Sequence, residues 1–382
     1  MNNLWQGIEG LHSLKYFLNS LITNRAFPQA VIIEGPAGCG KDFIASRFAQ
    51  IMSASKVTYS IENFSASTQP FSAPWIKYVF ALPRGKNEGS QDGPLQKLLP
   101  EAVGLIVEEI NTKNKNPYYS LNIPEANEIK INSIRDIGRY FSLTADPNIH
   151  RTVLISKAEL MNTEGTNALL KDLEEPPPHS TFILTTSNAE ALLPTIRSRC
   201  WNLKASPLAI EEVSKVLSNS FDVGIEEAEA IAPLANGSLE TARQLLFDDI
   251  AKLKKLTVNF LRESSIRKID TAFRIIEKPI IKEGKDTILL FLQLVMLWLA
   301  DASRSRYGMK NLFYYEFPES FAMYNTNYSS VDLAPIVSKV DSFIQQISNN
   351  NANPSIVIHS LCYLIPDILA KHVQFSETVN SL

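Results

Sequence analysis

The stretch Asn167–Cys200, NALLKDLEEPPPHSTFILTTSNAEALLPTIRSRC, constrains this chain more than any other. Leu169, Leu170 and Leu173 recur at helical spacing, and Pro176, Pro177 and Pro178 then remove backbone donors and stop that helix. Thr181–Ser187 is a β-branched apolar run that reads as a buried strand. A polar turn and a second amphipathic segment follow and deliver Arg197, Ser198, Arg199 and Cys200. Helix, strand and helix in this order, with a guanidinium at the exit, form one unit of an alternating α/β chain.

The same alternation extends upstream. Ala30–Glu34 reads as a short strand feeding the glycine loop GPAGCGKD at Gly35–Asp42, and Phe43–Ile51 resumes as a helix. Ile76–Leu82, Arg151–Ser156 and Cys200–Lys204 supply the other strands of an expected parallel sheet. A loop of the form GxxxxGK[ST] works because its backbone N–H groups converge on phosphates at a helix N-terminus, its Lys bridges the outer phosphates and its hydroxyl completes a Mg²⁺ shell. Gly35, Gly38, Gly40 and Lys41 are present here, but the hydroxyl position holds Asp42. Two unit anions about 4 Å apart repel by roughly 4 kcal/mol at an effective dielectric near 20. Asp also ligates Mg²⁺, so this substitution alone leaves both readings open.

The NALLK..LEEPP helix, the SRC triplet and the upstream glycine loop together resemble the AAA+ clamp-loader subunits of bacterial DNA polymerase III. The resemblance implies an AAA+ α/β domain of the phosphate-loop type over residues 1–205, a small helical lid over 206–248 and an all-helical C-terminal collar for oligomerisation over 249–382. The helix-only character after Pro207, with breaks near Asp222–Gly224 and Asn236–Gly237 and later at Lys282–Lys285, Tyr307–Pro318 and Ser348–Pro354, agrees with that division.

The resemblance also supplies two further tests of the nucleotide site. Active members end the third strand in Asp then Glu, where this chain has Ser156 and Lys157. They carry a lid arginine two residues after a Gly-Ser dipeptide, where Gly237 and Ser238 are followed here by Leu239 and Glu240. The expectation is therefore no hydrolysis, no metal and no cofactor. Gly35, Gly38, Gly40 and Lys41 become a degenerate phosphate loop, with two readings: a turn retained because strand and helix must still pack closely, or weak binding of ATP or ADP on the surviving N–H groups without hydrolysis. Arg199 matches the family's arginine finger, whose planar guanidinium suits a phosphate held by a neighbouring subunit. A broken loop with an intact finger describes a non-catalytic subunit that completes its neighbour's site. The implied partners are ATPase motor subunits, the clamp-opening delta subunit, the sliding clamp indirectly, and primer-template DNA inside the assembled spiral. Two alternatives remain: an ATP-hydrolysing gamma/tau-type motor subunit, and an AAA+-derived scaffold outside replication.

Composition agrees with a cytoplasmic protein. With 382 residues, 45% hydrophobic and 20% charged, the chain buries a sizeable core in two or three domains. A net charge of −3 gives no global attraction to nucleic acid, so DNA contact would need a local basic face. Three widely spaced cysteines, Cys39, Cys200 and Cys362, argue against a disulfide framework, and the four-cysteine zinc module common in the family is absent. The N-terminus lacks the pattern of a signal peptide, and the apolar run Thr287–Ala300 falls short of the ~20 residues a bilayer helix needs, so it is expected as a buried helix and no membrane contact is expected. Residues 52–128 lie outside the informative part of the resemblance. Asn132 is expected as an N-cap. Ser133, Arg135 and Thr163 are candidate phosphate contacts at helix starts, weighed against ordinary capping and solvation. His179, Glu174 and Glu175 read as surface residues.

Overall fold

The computed structural model describes residues 4–56, 68–89, 91–143, 149–235, 237–247, 250–309, 312–329, 331–349 and 353–379. The first part of the chain alternates as the sequence pattern requires: α1 (His12–Asn24), β1 (Ala30–Glu34), α2 (Lys41–Lys56), β2 (Ile76–Val79), α3 (Pro100–Lys115), α4 (Ile131–Ser142), β3 (Arg151–Ile155), α5 (Thr163–Glu174), β4 (Ser180–Thr186), α6 (Pro194–Arg197) and β5 (Trp201–Lys204). Helices follow: α7 (Ile210–Phe221), α8 (Ile225–Ile231), α9 (Leu239–Phe247), α10 (Ile250–Ser265), α11 (Ile269–Ile276), α12 (Lys285–Arg306), α13 (Pro318–Asn327), α14 (Ala334–Asn349) and α15 (Pro354–Val379). Compactness divides the chain into a first unit, 1–228 with 235–241, and a second, 229–234 with 242–382. The segment 206–248, expected as a lid, is shared between them.

In the first unit the strands form one sheet in the order β2-β3-β4-β1-β5. Every pairing is parallel, with Ile32 opposite Leu184 on one side and Asn202 on the other. Parallel neighbours require a covered crossover between strands, so both faces of the sheet become interior. The β-branched runs serve that demand: Val31, Ile32 and Ile33 are all buried, as is every residue of β4. One face packs Ile32, Val153, Ile155, Phe182 and Leu184 against Ile134 and Ile137 of α4 and Leu169 and Leu173 of α5. The fold class expected from the sequence, an AAA+ α/β sheet followed by helices, is the one observed. In open sheets of this kind, ligands collect outside the carboxyl ends of the strands, where β1, β3 and β4 here deliver Gly35, Ser156 and Thr185.

Two local expectations need correction. Asn132 is not an N-cap: α4 already begins at Ile131, and the Asn132 amide donates instead to Glu88 Oε1 at 2.8 Å and to the Gly89 carbonyl at 3.0 Å. The neighbouring Lys130 ammonium pairs with Glu88 at 2.7 Å, both side chains being almost fully buried, so this loop is tied to the start of α4 by a charge pair that sequence spacing does not reveal. Strand β2 ends at Val79 rather than Leu82.

The second unit is helical. Phe260 of α10 meets Phe291 of α12 edge to face at 5.1 Å, and Leu294, Val295, Ile336, Val340, Leu361 and Ile365 are buried. The window Thr287–Arg306 is long and apolar enough to cross a membrane by length and composition alone, yet more than half of it is buried inside this unit. Asp301, fully buried, accepts the Tyr314 N–H at 3.0 Å, while Lys254 donates to the Phe313 carbonyl at 2.7 Å and thereby holds the segment before α13.

Phe182 sits fully buried in the middle of the first unit's sheet. Phe182→Ala is expected to destabilise that unit by about 3–5 kcal/mol, read from its denaturant unfolding midpoint.

Candidate functional site

Loop Gly35–Gly40 leaves the end of β1 and enters α2. Its glycines are demanded by packing. A Cβ at Gly35 would lie 2.3 Å from the Ala205 carbonyl oxygen. Gly38 has φ +73°, a conformation L side chains rarely adopt, and a Cβ there would lie 2.4 Å from the Glu240 nitrogen. The loop is therefore wedged between the end of β5 and the start of α9, with no ligand needed to explain its glycines. Lys41 is nearly buried, and its ammonium curls back onto its own loop, donating to the carbonyls of Gly35 at 2.7 Å and Pro36 at 2.6 Å.

Asp42, in the first turn of α2, is the centre of the site. Its Oδ2 accepts from the Ser156 hydroxyl at 2.6 Å and the Tyr78 hydroxyl at 3.0 Å, and its Oδ1 accepts from Thr185 at 2.6 Å. Lys113 Nζ, from the last turn of α3, lies 3.5 Å from Oδ2 with only 4% of its side chain exposed. Burial by itself would raise the Asp42 pKa, but the Lys113 ammonium and the Ser156 and Thr185 hydroxyls outweigh it and hold the carboxyl below its ordinary value. The Tyr78 hydroxyl is pushed well up by burial and by the adjoining carboxylate. Lys113 is also held by the Tyr119 carbonyl at 2.7 Å and sits 4.7 Å from the centre of the Phe71 ring.

The rest of the rim is closed in the same manner. Lys157 pairs with Glu240 at 3.4 Å, joining the end of the third strand to the segment after Ser238. Tyr118 packs edge to face on Phe43 at 5.3 Å, and its hydroxyl accepts the Glu9 N–H at 2.7 Å. Two cavities remain beside these groups, one of about 70 Å³ against the glycine loop and one of about 100 Å³ beside Tyr78, Lys113 and Ser156. Sites for drug-sized ligands occupy roughly 300–1,000 Å³.

The structure thus brings together Gly35, Gly38, Gly40, Lys41, Asp42, Ser156, Lys157 and Glu240 as the motif positions require. It adds Tyr78, Lys113 and Tyr118, which sequence reasoning missed. A lysine in the last turn of a helix reads as a solvated residue favoured by the helix dipole, so Lys113 carried no local signal.

Arg199 lies apart from this cluster, in the turn between α6 and β5. Its guanidinium donates to the Thr195 carbonyl at 2.9 Å and to Glu174 Oε1 at 2.6 Å, and 36% of the side chain is exposed. These two partners belong to α5 and the start of α6, not to the phosphate loop. Glu174, read as merely solvated, is its partner. Arg197 pairs with Glu190 instead. Burial pushes the Cys200 thiol up to about 12, which makes it an inert packed residue. Of the candidate phosphate contacts, Arg135 and Thr163 are exposed, but Ser133 is buried and does not present its hydroxyl to the surface. His179 is exposed in the turn before β4.

Sheet order and the glycine loop that leaves β1 define an α/β domain of the AAA+ type. Residues 105–209 match the family described as DNA polymerase III, delta subunit. The chain is 35% identical over 147 residues to DNA polymerase III subunit gamma of Buchnera aphidicola subsp. Schizaphis graminum, covering 36% of this chain and 39% of that protein. It is 35% identical over 134 residues to DNA polymerase III subunit delta' of Pseudomonas aeruginosa, covering 34% and 40%. It is 26% identical over 216 residues to subunit tau of Bacillus subtilis, covering 53% and 38%. The matched region spans about two-fifths of the length of each of these relatives. Over this region the chain is similar to clamp-loader subunits of DNA polymerase III, of the gamma, tau and delta' type.

A carboxylate held below its unfolded pKa contributes stability above that value, about 3.9 for Asp, and loses it as pH falls through the folded pKa. The first unit is therefore expected to lose stability below about pH 4 through Asp42. Asp42→Asn is expected to lower stability at neutral pH and to flatten this acid arm, both read from denaturant unfolding across pH.

Proposed function

We propose that this chain is a non-hydrolysing clamp-loader subunit of the delta' type, a rigid stator that lends Arg199 to the ATP site of a neighbouring motor subunit during loading of the sliding clamp on primed DNA. The observation that carries the reading is Asp42. The residue at the metal-binding hydroxyl position is a carboxylate saturated by Ser156, Thr185, Tyr78 and Lys113, beside cavities of about 70 and about 100 Å³. Phosphoryl transfer depends on positioned phosphates, a metal and an oriented water, and here Lys41 is engaged by its own loop while Lys157 and Glu240 neutralise each other.

Arg199 supports the second half of the reading. Its contact with Glu174 is an exposed ion pair, a type worth about 0–1 kcal/mol, so a triphosphate on another subunit would displace the carboxylate at little cost. The proposed setting is cytoplasmic, among motor subunits, the clamp-opening delta subunit, primer-template DNA and, indirectly, the clamp. Similarity to gamma and tau subunits favours a second reading, an ATP-hydrolysing motor subunit. Mg²⁺-dependent hydrolysis by the purified chain, abolished by Lys41→Ala, would establish that reading and refute the stator role.

In a reconstituted complex, Arg199→Ala is expected to slow DNA- and clamp-stimulated ATP hydrolysis at the adjoining site by roughly 10³-fold or more, with Lys41→Ala leaving the rate nearly unchanged. Equal and large losses from both variants would contradict the division of roles.

A further inference from the structure

We propose that the segment Lys113–Ser120 is a built-in substitute for metal and nucleotide: its ammonium takes the part of the divalent cation at Asp42, its Tyr118 ring covers the phosphate loop, and the site is permanently self-occupied. The inference rests on the non-hydrolysing reading and goes further. Loss of hydrolysis needs only the loss of metal-binding and water-orienting residues, whereas self-occupation also excludes nucleotide binding and makes the old site part of the unit's own stability.

In a working phosphate-loop site, a loop hydroxyl and a carboxylate at the end of a strand share one Mg²⁺. Here the two residue types have changed places. Asp42 is on the loop side and Ser156 on the strand side, and the Ser156 hydroxyl donates directly to the Asp42 carboxylate at 2.6 Å. The next pair is matched as well, with Lys157 3.4 Å from Glu240. Each of these four residues thus meets a complementary one.

A buried carboxylate still requires a cation, and Lys113 supplies it from outside the motif positions. Its helix, α3, lies far along the chain from both the glycine loop and the third strand. The residues that follow seal the mouth of the site. A Cβ at Gly40 would lie 2.9 Å from the Tyr118 ring, so the ring rests directly on the loop. The Tyr118 hydroxyl reaches across to the Glu9 N–H at 2.7 Å, closing the gap between the phosphate loop and the N-terminal segment. Pro117, Tyr118, Tyr119 and Ser120 all line the cavity of about 70 Å³ against the loop.

The test is a double-mutant cycle on the full chain, Asp42→Thr and Lys113→Ala, with thermal unfolding of the first unit read with and without Mg²⁺–ATP. Each single substitution leaves a buried charge without its counterion and is expected to lower Tm by about 6 °C or more. The double variant is expected to lose clearly less than the sum, and wild-type Tm is expected not to move with millimolar Mg²⁺–ATP. If a single variant fails to fold, recovery of folding in the double supports the pairing, and a double variant equally unfolded overturns it. A wild-type Tm that rises with Mg²⁺–ATP, or additive losses, overturns self-occupation even with hydrolysis absent. Hydrolysis by the wild-type chain instead removes the reading beneath it.

Discussion

A carboxylate and an ammonium, Asp42 and Lys113, face each other across the mouth of a parallel sheet, and the character of the first unit follows from their contact. Neither charge is tolerable alone at such depth. Together, with the Ser156 and Thr185 hydroxyls and the N-terminus of α2 behind the carboxylate, they form a saturated polar knot. Because the knot lies where β1, β3 and β4 end, it joins the loop, two further strands and α3 in one place. The glycine loop then has a structural occupation independent of any ligand, being wedged against Ala205 and Glu240.

The contrast with Arg199 is one of exposure. Asp42 and Lys113 neutralise each other largely out of reach of water. Arg199 is held in the open by a partner that water can replace, at the start of an edge strand and away from the loop of its own chain. A buried charge pair and an exposed guanidinium that is cheaply released are two properties a passive contributor to another protomer's chemistry would require. In the second unit, buried charge has a humbler use: Lys254 and Asp301 fasten the segment before α13 to α10 and α12.

The elements of the sheet were legible because each strand is a β-branched run bounded by turn residues, and the alternation with helices admits few topologies. The helix through Leu169 and Leu173, the stop at Pro176 and the loss of the hydroxyl at position 42 were readable for the same reason: each is a local pattern with a local cause. Asn132 was misread because an amide at a helix start has two uses, capping its own backbone or binding a passing loop, and only the position of Glu88 chooses between them. Glu174 was taken as solvated because its partner comes from another element.

By itself the sequence determined the class of fold and the chemical inventory of the site: the glycine loop, the carboxylate at Asp42, and the guanidinium at Arg199. Only the tertiary structure decided that the changed residues answer one another, Asp42 with Ser156 and Lys157 with Glu240, and that Lys113 and Tyr118 arrive from a distant segment to complete them. The reason is physical. Periodicity and turn chemistry act over a few neighbouring residues, whereas a buried charge must be neutralised by whatever group the folded chain carries to it.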